Sequence, residues 1–433
     1  MKRYDSYKDS GVEWIGEVPS HWEVCKLKHR YYFQTGATPN TGKKENFNGD
    51  LKWANISDLN GSIVYETAKH ISKGAASKCS MSISPKGSLM YSFKLSVGAV
   101  AFCGCDMYTN EAIASFVPQN NNLKFLFYCA PIFIIHNANR NIYNAPLLNQ
   151  ELIKNALICL PPLSEQTSIA NYLDKKCSEI DNVISAQQKR IALLQELKQS
   201  IITHAVTKGL NPNVEMKDSG VEWIGEVPKH WEICKLKHVS SLYGRIGFRG
   251  YNQTDLVADG EGAITLSPSN MQNGTMDYNK CSFLSWKKYY ESPEIMIKDG
   301  DILFVKTGST YGKTSLVREL PMEATINPQI VVFKDIKVNN HFLYYLLTND
   351  IVQMQVSLTV GGSTIPTLSQ DNISNYVIPV APKDEQNEIA NYLDKKCASI
   401  DSSISKAQHQ VELLQEYKQS LITEVVTGKR KVC

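Results

Sequence analysis

Residues 164–206 read SEQTSIANYLDKKCSEIDNVISAQQKRIALLQELKQSIITHAV, and the chain writes this segment a second time from Asp384 to Val426. In the first copy apolar or small residues fall at Leu173, Cys177, Ile180, Ile184, Ile191, Leu194, Ile201 and Ala205, in the steps of three and four that a coiled-coil seam requires. Shifted by 220 positions, the second copy reads Leu393, Cys397, Ile400, Ile404, Ala407, Val411, Leu414, Leu421 and Val425. Gln187 and Lys198 interrupt the first seam, and Lys418 recurs where Lys198 stood. A lysine at the seam either fixes register or snorkels to the edge. Each segment follows prolines (Pro161 and Pro162; Pro379 and Pro382) and opens on a capping residue, Ser164 or Asp384, with Glu-Gln next. Each stops before a glycine, Gly209 or Gly428. At about 1.5 Å per residue each rod is about 65 Å long, too long to bury in one ordinary domain. The rods are therefore expected to pair with each other and serve as a spacer.

Working outward, the block KDSGVEWIGEVPSHWEVCKLKH at 8–29 returns at 217–238 with only Ser20/Lys229 and Val24/Ile233 changed. The chain is thus two tandem repeats, each an invariant opening block, a divergent middle and an invariant helix. Two repeats are too few for a solenoid. Invariant ends imply the same partner met twice, and divergent middles imply different ones. The middles still share a pattern: 51–65 can be laid on 262–278, 86–103 on 299–317, and 146–160 on 366–380. Short β-rich runs between Gly, Asn, Asp and Ser turns, with a helical patch at 122–136 or 340–356, predict an α+β domain on a twisted, largely antiparallel sheet. Trp14, Trp22, Trp223 and Trp231 in the opening blocks are expected to be buried against the base of a helix.

The chain has 433 residues, 42% hydrophobic and 21% charged, with a formal charge of +3. That predicts two or three soluble globular domains, and the charge neither demands nor excludes nucleic acid. The start MKRYDSYKDSG has no apolar core and no run approaches a membrane span, so a cytoplasmic location is expected. The eleven cysteines lack C-x-x-C spacing and read as reduced, mostly buried thiols. No cofactor and no metal are expected.

Taken together, the blocks SGVEWIGEVPxHW, GDILFVKTGSTYGKT, and PTLSQDNI with EQNEIANYLDKK resemble the specificity (S) subunits of type I restriction-modification systems over essentially the whole chain. The resemblance implies a non-catalytic subunit that reads an asymmetric bipartite site in double-stranded DNA. It implies two target-recognition domains, two helices paired antiparallel, and two methyltransferase (M) subunits docked around them, with or without restriction (R) subunits. The expected segments are a first recognition domain at 1–162, a central helix at 163–209, a second recognition domain at 210–382 and a C-terminal helix at 383–429. Antiparallel pairing would set the two readers at opposite ends of the rods, and helix length would set the gap between half-sites. The first middle departs from the pattern, with Tyr91-Ser92-Phe93-Lys94 where the second has a basic TG-rich loop.

Candidate DNA contacts lie in the polar loops. The loop Lys306-Thr307-Gly308-Ser309-Thr310-Tyr311-Gly312-Lys313 nearly spells a P-loop, but only three residues separate its glycines and a strand, SLVREL, is predicted to follow. Lys306, Thr307, Ser309, Thr310, Tyr311 and Lys313 are therefore assigned to DNA. The loops after the opening blocks supply Thr38, Lys43 and Lys44 in one repeat and Arg245 and Arg249 in the other. The arginines are preferred, because a guanidinium can bridge guanine O6 and N7. Asn55, Ser57, Ser92, Lys94, Ser96, Ser269 and Asn270 complete the middles. Arg140, Tyr143 and Asn144, with Ser363 and Thr364, precede the shared P-x-L-x-Q. The partner interface is assigned to Tyr172, Lys176, Ile180, Ile184, Ile191 and Leu194 on one helix, and to Tyr392, Lys396, Ile400, Ile404, Val411 and Leu414 on the other.

No methyltransferase Asn/Asp-Pro-Pro-aromatic motif, G-x-G-x-x-G or helicase P-loop is present, and Glu215-Met216-Lys217 lies in a linker, away from any strand that could serve a nuclease. The chain is thus expected to leave base flipping and methyl transfer to its partner. The competing class is a two-domain repeat scaffold or ligand-binding protein not acting on DNA.

Overall fold

The computed structural model describes residues 3–272, 274–360 and 367–432. The chain forms two compact units, Met1–Gln187 with His409–Cys433, and Gln188–Gln408. Each unit takes part of both long helices, Leu163–Lys208 and Lys383–Val426. At both helix starts the glutamine of the Glu-Gln pair folds back: Gln166 Nε2 donates to the Pro161 carbonyl at 2.8 Å and Gln386 Nε2 to the Ala381 carbonyl at 2.7 Å. Both ends stop at a glycine in the left-handed region, Gly209 and Gly428 at φ 74°.

In the first unit Leu173, Cys177, Ile180 and Ile184 share one core with Leu421, Val425 and Val426, and Val411 and Leu414 pack against it. In the second, Ile202, Ala205 and Val206 share a core with Ile389, Ala390, Leu393 and Cys397. The start of each helix thus meets the end of the other, so the two run antiparallel as a coiled coil. Near the end of the first helix Ile202, rather than the expected Ile201, is the buried residue, and Ile201 is only partly covered. Ile180, Ile184 and Ile400 are buried. For Ile180 and Ile184 this corrects their reading as a surface for another protein, because the chain's own second helix already covers them. The same packing takes up part of Val411 and Leu414. The seam lysines form cross-helix ion pairs, Lys198 with Asp401 and Lys418 with Asp181.

The first unit carries a five-stranded sheet in the order Phe33–Thr35, Ile113–Phe116, Leu89–Ser92, Val100–Cys103, Ile63–Val64, beside a three-stranded sheet of Tyr108–Thr109, Leu51–Ala54 and His70–Ile71. The second carries Ser241–Gly244, Ile330–Lys334, Ile302–Val305 and Thr314–Leu316, beside Leu256–Val257, Ser282–Ser285, Gly262–Leu266 and Ala324–Ile326. Pairing is mostly antiparallel. Strand Ile302–Val305 is a continuous apolar run because both its faces are covered. Ile302 and Phe304 enter the core shared with the helices, while Leu303 and Val305 enter the core shared with the neighbouring sheet.

Each middle is fastened to a long helix by the same devices. Tyr128, on helix Leu123–His136, donates to Asp174 at 2.6 Å; Tyr345, on helix Asn340–Thr348, donates to Asp394 at 2.8 Å. Trp22 and Trp231 are fully buried, and their indole N–H groups donate to Glu165 at 3.2 Å and Glu385 at 2.9 Å. Trp14 is half-buried and stacks on His136 at 3.9 Å. Trp223 is 38% exposed, which corrects its expected burial. No helix among the described residues is long and apolar enough to cross a membrane.

Candidate nucleic-acid interface

Strand register decides which loops share a place. In the first unit Thr35 lies opposite Ala114, Ile113 opposite Ser92, and Tyr91 opposite Val100. Residues 36–44, 93–99 and 110–112 therefore leave the five-stranded sheet at one end. The Asn110 N–H donates to the Ala54 carbonyl at 3.0 Å, which brings Asn55 and Ser57 there. Gln150 Nε2 donates to Thr35 Oγ1 at 3.0 Å, which brings the residues preceding P-x-L-x-Q.

The second unit repeats the arrangement. Gly244 lies opposite Val331, Val305 opposite Ile330, and Phe304 opposite Thr314, so residues 245–250, 306–313 and 327–329 share one end. The Asn327 N–H donates to the Leu266 carbonyl at 2.8 Å, bringing residues 267–270. The Leu368 N–H donates to the Lys306 carbonyl at 2.8 Å. A Cβ on Gly244 would lie 2.7 Å from Gln370 Nε2, so this strand end packs against Gln370 as Thr35 does against Gln150.

The loop at 306–313 is a tight hairpin tip. The Gly312 N–H donates to the Val305 carbonyl at 2.8 Å and the Tyr311 N–H to the Gly308 carbonyl at 3.2 Å, with Gly308 and Gly312 at φ 105° and 81°. Strand Thr314–Leu316 follows, as expected, and leaves no helix N-terminus for a nucleotide phosphate. In the first unit the Gly98 N–H donates to the Ser92 carbonyl at 3.0 Å, so a sequence without Gly-Lys makes an equivalent tip.

The candidate side chains divide by what they already bind. Thr38, Lys43, Lys44, Ser57, Lys94, Ser96, Arg140, Tyr143, Asn144, Ser269, Ser309 and Thr310 are exposed; Lys306, Thr307, Tyr311 and Lys313 are partly so. The Thr38 hydroxyl donates to Glu111, whose carboxylate also lies 3.9 Å from Lys94. Burial raises the Glu111 pKa, but the Thr38 hydrogen bond and Lys94 outweigh it, so the group sits below its ordinary value and offsets part of the Lys94 charge. Lys313 Nζ donates to the Pro268 carbonyl at 3.3 Å, tying two candidate loops together.

Four assignments need correction. Arg245 is buried: Nε donates to the Ile326 carbonyl at 3.1 Å, Nη2 to Thr325 Oγ1 at 3.0 Å and Nη1 to the Arg249 carbonyl at 3.3 Å, and the guanidinium lies over Tyr251 at 5.1 Å. Burial pulls its pKa down, against Tyr251 and Glu294. It braces the loop and offers no free fork to guanine. Ser92 is buried and its hydroxyl donates to the Leu95 carbonyl. Asn270 is buried and bonded to Ser267, Asp277 and Lys280. Asn55 Oδ1 is spent capping its own turn through the Ser57 N–H and hydroxyl. Arg249 pairs with Glu294 at 3.2 Å. Ser363 and Thr364 lie outside the described residues.

Sequence reasoning passed over Gln150, Gln370 and Ile142; the P-x-L-x-Q repeat at a constant offset was the signal for the first two. On the helices, Tyr172 and Tyr392 are half-buried, and Lys396 lies 5.8 Å over Tyr392. Ile191, Leu194 and Ile404 are half-buried. The exposed apolar residues on the first helix are Leu163, Val183, Leu193 and Leu197; the last two recur as exposed Leu413 and Tyr417 at the same repeat positions on the second. Among the described residues no group of three or more His, Cys, Asp or Glu could hold a metal ion.

Known proteins resemble this one over the same regions. A type I restriction enzyme specificity subunit from Methanocaldococcus jannaschii, MjaVIII, is 27% identical over 292 residues, covering 66% of this chain and 65% of that protein. The MjaIX specificity subunit of the same organism is 22% identical and covers 96% of this chain and 95% of that protein. The Escherichia coli EcoBI specificity subunit is 21% identical, covering 80% and 75%. Among solved structures, one from a study of assembly and conformational transition of the type I R-M system shares the fold at TM-score 0.72 and 14% identity, covering 94% of this chain and 98% of that one. The HsdS subunit from Thermoanaerobacter tengcongensis matches at TM-score 0.51 and 15% identity, covering 95% and 98%. The family described as type I restriction modification DNA specificity domain matches twice, at residues 19–194 and 228–413. With both repeats matched, the chain belongs to the type I restriction-modification DNA specificity family.

Proposed function

We propose that the chain reads an asymmetric bipartite site in double-stranded DNA, each half through the loops at one end of one unit's sheet. One observation carries this reading: two units of different sequence gather the corresponding segments at the corresponding sheet end. Lys43, Lys44, Lys94 and Arg140 serve the first half-site. Lys306, Thr307, Ser309, Thr310, Tyr311, Lys313 and Ser269 serve the second, with Ser363 and Thr364. Phosphate contacts from the lysines set register, and hydroxyls and Tyr311 meet base edges. The working segments are recognition domains at 1–162 and 210–382 and helices at 163–209 and 383–429.

The same proposal gives the chain two methyltransferase subunits, with a restriction subunit as a further partner, and leaves methyl transfer to them. Each unit carries one docking surface: Tyr172 and Lys176 with Leu413 and Tyr417 in the first, and Tyr392 and Lys396 with Leu193 and Leu197 in the second. Methylation-aware sequencing of the host, with and without this gene, tests the reading. A two-part motif that loses its methylation in the deletion supports it. An unchanged methylome favours a scaffold that does not act on DNA.

A further inference from the structure

We propose that Ile142 and Tyr143 form a wedge that enters the base stack of one half-site and unstacks a single base step there. The inference rests on the DNA-reading function above and names a contact that function does not require. The two residues sit at the tip of a hairpin in which Asn139 pairs with Leu147 and Arg140 with Pro146. Hydrogen bonds close the tip from within. The Asn141 N–H donates to the Ala145 carbonyl at 3.1 Å and the Asn144 N–H to the Asn141 carbonyl at 2.9 Å. Asn141 Oδ1 accepts from the Tyr143 and Ala145 N–H groups, both at 2.9 Å. Arg140 Nη1 reaches across to the Asn144 carbonyl at 3.0 Å. Asn144 takes φ 61°, a conformation asparagine tolerates better than most side chains.

With its backbone so tied, the tip holds both side chains out in water: Ile142 is 91% exposed and Tyr143 82%. A stiff β-branched side chain beside an aromatic ring, held out in water on a closed turn, gains nothing in the isolated chain. Three features select a duplex as its occupant. Residues 137–150 contain no acidic side chain and one cation, Arg140, which suits a polyanion. The segment is bonded through Gln150 and Thr35 to the same sheet end as Lys94 and Thr38. Apolar wedges of this kind are how groove-binding proteins open a base step, at a cost returned by the contacts of the bent duplex.

The wedge belongs to one repeat only. With Pro146 set on Pro366, Ile142-Tyr143 falls on Gly362-Ser363, a pair with nothing to insert.

The test uses the full chain assembled with its methyltransferase subunit and a duplex carrying the target found by sequencing. 2-Aminopurine is placed in turn at each position except the methylated bases and the positions next to or paired with them, where base flipping by the methyltransferase subunit itself disturbs stacking. The expected result is a several-fold rise in emission at one step, within the half-site whose recognition is lost when residues 93–99 are altered. Ile142→Gly combined with Tyr143→Ser should abolish the rise and weaken target binding about tenfold, while methyltransferase pull-down is unchanged. Bound wild-type complex with no rise at any step, a rise that survives the double substitution, or a rise in the other half-site overturns the proposal. Loss of pull-down in the double variant also overturns it, making the hairpin a protein contact. Failure of the wild-type complex to bind the duplex at all defeats the DNA-reading function itself, and the wedge with it.

Discussion

Lys198 places Nζ 2.7 Å from both carboxylate oxygens of Asp401, and 220 positions further on Lys418 makes the same contact with Asp181. Each pair joins one helix to the other, so the two together fit one antiparallel register. The side chains are 26% and 51% exposed at Lys198 and Asp401, which holds the strength of the pair below about 1 kcal/mol. Lys198→Asp should destabilise the fold by about that amount, and adding Asp401→Lys should restore most of it. A double-mutant cycle in urea reads the coupling, and a coupling of zero removes the register role.

Glu165 accepts from the Trp22 indole at 3.2 Å and the Tyr4 hydroxyl at 2.6 Å, with His21 Nε2 at 2.8 Å. Glu165→Ala strands a buried indole N–H and should cost about 1–3 kcal/mol. Trp22→Ala empties the site and should cost about 3–5 kcal/mol. Guanidinium denaturation gives both numbers, and the order should be the same for Glu385 and Trp231.

Arg245 gives the sharpest separation of bracing from reading. Arg245→Ala removes its bonds to Ile326, Thr325 and Arg249 and should lower stability by about 2 kcal/mol. Arg245→Lys keeps the charge but loses the fork, so it should not restore the loss. A variant with unchanged melting temperature and relaxed recognition of one half-site would return Arg245 to the role of base reader.

Lys306 and Lys43 stand on different units, and each should lose one phosphate contact when changed to alanine. The expected signature is weaker binding to all sequences alike, with the slope of log affinity against log salt falling by about 0.9 for each lysine. Filter binding of the assembled complex across a salt series measures it. A change of target preference without a change of slope would move these lysines into the groove.

Tyr128 and Tyr345 are buried and donate to Asp174 and Asp394; burial first, and then the bonded carboxylate, pushes both phenols well above their ordinary value. The sign follows from proton counting. Above about pH 10 the unfolded chain releases these protons and the folded one keeps them, so stability falls as pH rises. Urea midpoints from about pH 8 to about pH 11 should decline, and Tyr128→Phe with Tyr345→Phe should flatten the decline.

The helices and the repeat were legible because both rest on spacing, which a sequence states directly: a three-four step at Leu173, Cys177 and Ile180, and a constant offset between copies. The gathering of loops was half legible. Similar runs could be matched across the repeats, but only register sets Ser92 beside Ile113 and Gly244 beside Val331. Arg245, Ser92 and Asn270 were misread for one physical reason. Their polar atoms are spent on partners that tertiary folding delivers, Thr325 and Ile326 to Arg245 across about 80 residues. Composition shows a polar loop residue; it does not show whether that residue is already satisfied. Ile180 and Ile184 were assigned to another protein's surface although the same pattern had predicted their pairing within the chain.

The first core draws Leu421, Val425 and Val426 from the far end of the sequence to cover Leu173, Ile180 and Ile184. A ribosome that has finished the first half of the message has therefore made a recognition domain whose stalk is still uncovered, with its apolar stripe facing water for as long as elongation takes. At about 5–20 residues per second that interval lasts roughly 10–50 seconds. Chaperone demand in this protein should peak during synthesis rather than after release, and premature termination should yield an aggregating fragment instead of a working half.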